Sequence, residues 1–333
     1  MTFTAHDWTG AEIPALGMGC WAIGGPFTAD GRAVGWGPSD DHTSRDAISA
    51  AYDAGLRVFD TAQAYGAGHS ETLLGEVLGD RPEARIVTKV GIGIDPDQRR
   101  LTGFVTDPAA LRAGLEASLK RLRRERIDLV LVHPNEFEID EARPVFDWLA
   151  DEHDAGRVSA YGWSTDFADK ATAFADQGGF RAVELAVNLL FRADRLLSRL
   201  NEAQLVPLIR SPLAMGLLAG RIGGDTRIGP DDVRASDSNW MSYFKDGRPN
   251  RDHLERIDRV RALLTTGGRT MAQGAIGWLW ALEPRAIPVP GMRTPAQVAD
   301  LAGALEMGPL PRDVFDEIEA LMARDPEGPD RPR

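Results

Sequence analysis

Cysteine is nearly missing from this chain: Cys20 is the one thiol in 333 residues, so no internal disulfide can form. Nothing therefore asks for an oxidising compartment, and a cytoplasmic protein is expected. Long apolar runs are missing as well. None approaches the roughly 20 residues that a membrane-crossing helix needs, and the opening MTFTAHDWTGAE has neither a basic cluster nor an apolar stretch. Neither export nor a membrane partner is expected. Positive charge is in deficit, with 38 basic against 50 acidic residues and a net charge of −12, which argues against nucleic acid as a partner. The one dense basic run, from Lys120 to Arg126, falls at a helix C-terminal end, where cations suit the helix dipole. The six histidines, His6, His42, His69, His133, His153 and His253, are scattered, and no His-x-His closes a strand, so no metal site and no metal-dependent barrel hydrolase is expected.

What is present is a strict alternation. Short β-rich runs occur at 16–20, 56–60, 85–90, 127–133, 159–163, 182–188, 205–210 and 286–289, which makes eight. Between them, 40–54, 70–78, 108–124, 141–156, 167–175 and 194–202 carry apolar residues at helical spacing. Asp107-Pro108 and Thr294-Pro295 are helix-start signals. Eight strands alternating with helices predict a closed parallel (β/α)8 barrel. One domain over residues 1–325 is expected, with a disordered tail at 326–333, since the end DPEGPDRPR has no apolar residues to bury. Between the seventh and eighth strands lie about 75 residues, far more than one helix needs. They hold a Gly/Asp-rich stretch at 221–250, read as a functional loop, and helices at 251–265 and 270–282.

A barrel builds its site at the C-terminal ends of its strands, and reactive side chains collect there. Asp60 closes the second strand, Lys89 lies near the end of the third, and His133 closes the fourth. Each alone has an innocent explanation: a turn cap, a strand-end cation, a hydrogen-bonded core histidine. Lys89 is the hardest to dismiss, because barrel strands are covered on both faces and an unpaired ammonium there costs several kcal/mol. It needs a partner, and Asp60 on the adjacent strand is available. Tyr65, five residues beyond Asp60, can fold back over the same mouth. Beside a lysine its phenol is expected to become more acidic, falling from about 10 toward working pH, and so to serve as a proton donor. The sequence Gly66-Ala67-Gly68-His69-Ser70-Glu71 lacks the third glycine and the strand-adjacent position of a Rossmann fingerprint, so a nucleotide is not expected to bind in that way.

The block from Phe59 to Gly75, FDTAQAYGAGHSETLLG, resembles the signature of the aldo-keto reductases. Further matches run in family order through Leu16–Trp21, Val87-Thr88-Lys89, Asp128–His133, Gly162-Trp163-Ser164, Ser211–Leu218 and Pro290–Pro295. The resemblance implies a catalytic tetrad of Asp60, Tyr65, Lys89 and His133. In it Tyr65 would protonate a carbonyl oxygen as hydride arrives from a nicotinamide, Lys89 with Asp60 would tune the phenol, and His133 would orient the carbonyl. It also implies an extended cofactor across the barrel mouth. Gly19, Trp21, Asp60, Ser164, Thr165 and Glu184 would lie at the nicotinamide end, Arg210 beside the ring, and Ser211, Pro212, Leu213, Gly216 and Leu218 along the pyrophosphate. Gly291, Arg293 and Gln297 would lie at the adenosine, where a helix N-terminus suits an anion. Arg293 as a ligand for a 2′-phosphate favours NADP(H), with NAD(H) as the alternative.

Four positions depart from the family's usual residues. Thr165 stands for an asparagine, Glu184 for a glutamine, Arg210 for a stacking aromatic and Leu301 for an asparagine. Arg210 and Glu184, on adjacent strands, are expected to form a compensated pair. The substrate is expected to be a small carbonyl compound or sugar, held by Trp21, Tyr65 and His133, with Trp36 and Trp240 as further walls of an apolar pocket. The rival reading is a regulatory barrel that binds the cofactor with little turnover.

Overall fold

The computed structural model describes residues 2–236, 238, 240–322 and 324; the expected tail at 326–333 lies outside them. Eight strands form one parallel sheet: Met18–Gly19 (β1), Val58–Asp60 (β2), Arg85–Val90 (β3), Leu129–Val132 (β4), Tyr161–Ser164 (β5), Phe180–Ala186 (β6), Val206–Arg210 (β7) and Ile287–Pro288 (β8). Each pairs with its neighbour in the order of the chain. The sheet curls until its edges meet: Gly17 N donates to Pro288 O at 2.9 Å and Gly19 N to Pro290 O at 2.8 Å, joining β1 to β8. The expected (β/α)8 barrel is therefore the observed fold.

Closure explains one glycine. A Cβ on Gly19 would lie 2.4 Å from Val289 O, so only glycine lets the first strand meet the eighth. The strands are apolar because both faces are covered. Leu129–Val132 is wholly buried, and among the described residues the buried apolar side chains form a cluster running from Ala5 to Met322. An N-terminal hairpin, Thr4–His6 with Glu12–Pro14, covers the opposite end from the site, where Trp8 Nε1 donates to Asp128 O at the start of β4.

Local chemistry sets the helix starts. Asp107 caps Pro108–Leu122 by accepting from Ala110 N, and Thr294 caps Pro295–Ala302 by accepting from Gln297 N, each with proline in the first turn. Thr270 and Gln273 form a reciprocal capping box at Met271–Leu282. The basic run at the end of Pro108–Leu122 serves packing. Arg121 pairs with buried Glu71, and Arg124 donates to Leu78 O and Arg81 O, tying this helix to His69–Leu78. The helix expected at 167–175 is shorter, Ala168–Ala171, with the chain leaving helical geometry at Thr172.

Two features frame the C-terminal mouth. The first, not read from the sequence, is an antiparallel hairpin after β3, Ile92–Asp95 with Arg100–Phe104, extended by Thr28–Ala29 and Arg32–Ala33 into a four-stranded sheet. The second is the stretch at 221–250, which is folded against the mouth. Val233 N donates to Gly35 O at 2.7 Å, Trp36 bridges Asp232, and Asp232 holds Arg234, whose guanidinium stacks 4.7 Å over Trp36. Among the described residues no helix is long and apolar enough to cross a membrane.

Candidate active site

The register of the strands decides which side chains meet. Gly19 pairs with Asp60 between β1 and β2, and Ser164 with Glu184 between β5 and β6, which sets each pair side by side at its strand ends. There a cavity of about 690 Å³ is lined by Gly19, Trp21, Asp60, Tyr65, His133, Ser164, Glu184 and Arg210 at its floor. It continues past Ser211, Pro212, Leu213 and Gly216 to Gly291, Arg293, Gln297 and Leu301. Two expected cofactor residues stand apart from it. Thr165 is fully buried with its hydroxyl donating to Asn135 O, and Leu218 is fully buried in the core.

Lys89 lies buried beneath this floor, 1% exposed. Its ammonium donates to Asp60 Oδ1 at 2.6 Å, to Thr61 O at 3.0 Å and to the Tyr65 hydroxyl at 3.3 Å. The adjacent-strand pairing expected from desolvation is thus present. A second partner was not foreseen: Glu184 Oε2, from β6, lies 3.0 Å from Nζ, and Ser164 Oγ donates to its Oε1 at 3.0 Å. Glu184, expected to pair with Arg210, forms its ion pair with Lys89, and Arg210 acts on it as a nearby charge. Arg210 donates to Asp166, a buried acid just past β5 that also accepts from Ala186 N and Asn135 Nδ2, while Glu184 serves Lys89. Both acids carried a signal in the sequence, since a carboxylate in or beside a buried strand needs a cation as much as Lys89 does.

Electrostatics follow from this crowding. Burial, with Glu184 adding to it, pushes the Asp60 carboxyl well above the usual carboxylate range despite Lys89. Burial opposes the ionised form of Glu184 too, but Lys89 and Arg210 together hold it below its ordinary value. Two carboxyl groups facing one ammonium are thus shifted in opposite directions. The same two carboxylates outweigh burial at Lys89 and raise its pKa.

Tyr65 corrects an expectation. Burial raises its phenol above the ordinary value, and Lys89 offsets that only in part because its charge is already claimed by two acids. The phenol is therefore less acidic than in water, contrary to the shift read from the sequence. Its position is well determined. The loop holding it is anchored by Ser70 Oγ to Cys20 O at 2.9 Å, and its ring stacks on Trp21, centroids 5.9 Å apart. Gly66, in the left-handed region at φ 64°, lies so close to Gly24 that a Cβ would fall 2.0 Å from Gly24 O. His133 meets Tyr65 edge-on at 5.8 Å, and burial and then Lys89 lower its pKa to about 3, which leaves a neutral ring with one N–H to offer.

Trp36 and Trp240 stand around Trp21 at 5.7 and 6.5 Å, and Ile92 and Phe104 from the unforeseen hairpin complete the wall. At the other end the chain carries local strain. Ser211, Ala214 and Met215 all adopt positive φ, and Gly216 follows at φ 97°, bending the backbone around the cavity as ligand-holding loops do. Arg293 extends along the rim, its guanidinium donating to Pro38 O at 2.5 Å and its amide to Gln297 Oε1 at 2.7 Å.

A parallel eight-stranded barrel with a lysine-backed phenol, a neutral imidazole and an elongated groove at its C-terminal mouth defines a barrel oxidoreductase. The chain belongs to the aldo/keto reductase family, whose sequence model matches residues 15–323. It is an NAD(P)H-dependent oxidoreductase acting on carbonyl compounds. It is 28% identical to aldo-keto reductase YhdN of Bacillus subtilis, over 99% of this chain and 97% of that one. It is 26% identical to the NADH-specific methylglyoxal reductase of Escherichia coli, over 90% and 92% of the two chains. The solved structure of a glycerol dehydrogenase from Gluconobacter oxydans superposes with a TM-score of 0.80 at 28% identity, covering 99% of this chain and 98% of that one.

Proposed function

We propose that this protein reduces a small aldehyde, ketone or sugar carbonyl with NADPH in the cytoplasm, through Tyr65, Lys89, Asp60 and His133, as one domain spanning residues 1–325. The observation that carries the reading is the Tyr65 hydroxyl 3.3 Å from a buried ammonium, on the wall of a cavity of about 690 Å³ that reaches from Asp60 to Arg293. The residues present fit that cofactor. Ser164 and Glu184 face the groove beside Tyr65, Arg210 flanks them, and the strained turn from Ser211 to Gly216 offers backbone to a pyrophosphate. When bound, the nicotinamide supplies or takes the hydride.

Tyr65 donates its proton to the oxygen of the carbonyl being reduced. Its raised pKa is no obstacle, because an alkoxide is far more basic than a phenolate and the transfer runs downhill. Lys89 stabilises the phenolate that remains, and Asp60 and Glu184 fix the ammonium in place. His133, neutral, offers its N–H to the same oxygen and so orients the carbonyl. Trp21, Trp36 and Trp240 exclude water from the reacting carbon. So complete a set of groups around one oxygen speaks against a barrel that merely binds the nucleotide.

The pH profile follows from the two shifts. His133 is already neutral above about pH 3, so reduction should show no limb near 6.5. Tyr65 is raised, so its acid form persists and reduction should stay flat up to at least about pH 10. Alcohol oxidation needs the phenolate instead, and its rate should climb by about tenfold per pH unit through the same range. Initial rates in both directions between pH 6 and 10 check this. A reductive rate that falls from neutral pH would contradict the raised phenol.

Cofactor choice is assigned to NADP(H) on Arg293, whose planar fork at the rim suits a 2′-phosphate; the Escherichia coli relative named NADH-specific shows that the choice varies in the family. Arg293→Glu should weaken NADPH by roughly 2–5 kcal/mol and NADH far less, read by fluorescence titration of both cofactors. Equal losses would remove Arg293 from the phosphate. The same titration, followed by a panel of aldehydes, ketones and sugars, tests the proposed activity.

A further inference from the structure

We propose that Glu184 makes this protein hold the oxidised nicotinamide more tightly than the reduced one; this rests on the cofactor reading above. Asp60 from β2, Glu184 from β6 and Arg210 from β7 line the cavity floor, and Lys89 from β3 and Asp166 just past β5 are paired with them beneath it, three acids against two cations. The Tyr65 phenol and the His133 imidazole beside them are neutral, and Arg221, Arg234, Arg293 and Asp300 also line the cavity. Glu136 also lines the cavity but is exposed, where solvent screens it. Arg210 donates to Asp166, and Lys89 faces two carboxyl groups, Asp60 and Glu184. The cluster holds three acids against two cations, and Glu184 is the one that lines the cavity beside Ser164.

Glu184 is 1% exposed yet reaches the cavity wall, with Ser164 holding one oxygen and Lys89 the other. Lys89 also touches the Tyr65 hydroxyl, so the carboxylate and the phenol share one ammonium. A carbon whose oxygen exchanges a proton with Tyr65 must lie about 3–3.5 Å from its hydride partner, which brings the nicotinamide ring beside Glu184. The oxidised ring carries a positive charge and the reduced ring none. A buried carboxylate therefore attracts one form and is nearly indifferent to the other, whereas a neutral amide would separate them little.

The test is the pair of dissociation constants for NADP⁺ and NADPH, read by quenching of tryptophan fluorescence at one pH and ionic strength. Wild type should bind NADP⁺ more tightly than NADPH. Glu184→Gln should weaken NADP⁺ by about tenfold or more and NADPH by no more than about threefold, collapsing the preference. Glu184→Asp, which keeps the charge, should retain the preference even if both affinities drop, and this separates charge from damaged packing. Equal losses for both forms in Glu184→Gln, or a wild type that prefers NADPH, would overturn the role of Glu184 while leaving the cofactor reading intact. Failure of wild type to bind either form would overturn both.

Discussion

Tyr65→Phe is expected to lower kcat for carbonyl reduction by roughly 10²- to 10⁴-fold, the usual worth of a positioned general acid. The ring stacks on Trp21 and meets His133 edge-on, contacts that phenylalanine keeps, so thermal stability and cofactor affinity should stay near wild type. The hydroxyl's polar neighbour is Lys89, which retains Asp60, Thr61 O and Glu184 without it. Circular dichroism melts and cofactor titration alongside steady-state kinetics separate loss of chemistry from loss of fold. A Tyr65→Phe protein that binds cofactor and turns over at the wild-type rate would remove Tyr65 from the mechanism.

Lys89→Met is expected to be as damaging to turnover, again by roughly 10²- to 10⁴-fold, but through another route. Without the ammonium no cation stabilises the Tyr65 phenolate, and Asp60 and Glu184 face each other across a buried space. Removing one partner of a buried ion pair costs about 3–5 kcal/mol, less whatever is regained when a second carboxyl takes up a proton. The variant should therefore melt several degrees below wild type, unlike Tyr65→Phe. Its stability deficit should shrink as pH falls toward the carboxylate range, since protonating Glu184 relieves the uncompensated charge. A Lys89→Met protein with wild-type melting temperature would mean that the ammonium is not what holds the two acids.

The contrast between these two variants shows what the sequence makes legible. The barrel can be read because both its rules are local: strands covered on both faces are uniformly apolar, and helices between them show a 3.6 period with proline and aspartate or threonine at their starts. Asp60 and Lys89 can be paired because they fall on consecutive strands, and a buried ammonium demands a partner nearby. Glu184 demanded one equally, but its partner lies on β3 across the barrel, a distance that no sequence spacing encodes. Arg210 found Asp166 for the same reason, through a residue just beyond β5 that resembled loop polarity.

The hairpin Ile92–Asp95 with Arg100–Phe104 escaped because its residues are mostly exposed or half-buried and show no strand alternation against a core. It nonetheless contributes Ile92 and Phe104 to the cavity, so part of the substrate wall was missed along with it. The acidity of Tyr65 was misjudged for a different reason. The sequence names the cation beside the phenol, but not the depth of burial or the second carboxylate that consumes the cation's charge. Thr165 and Leu218 show the converse: positions that match the family's cofactor residues in order, whose side chains are turned into the core.

The central claim is hydride transfer between a nicotinamide and a carbon whose oxygen exchanges its proton with Tyr65. It is tested most directly by running the reduction with NADPH deuterated at C4, each face labelled in turn, and analysing the product alcohol by mass spectrometry and NMR. One of the two labelled cofactors should place a single deuterium on the carbinol carbon, with the hydroxyl proton coming from exchangeable positions. A product whose new carbon-bound hydrogen comes from water with either label would contradict the account.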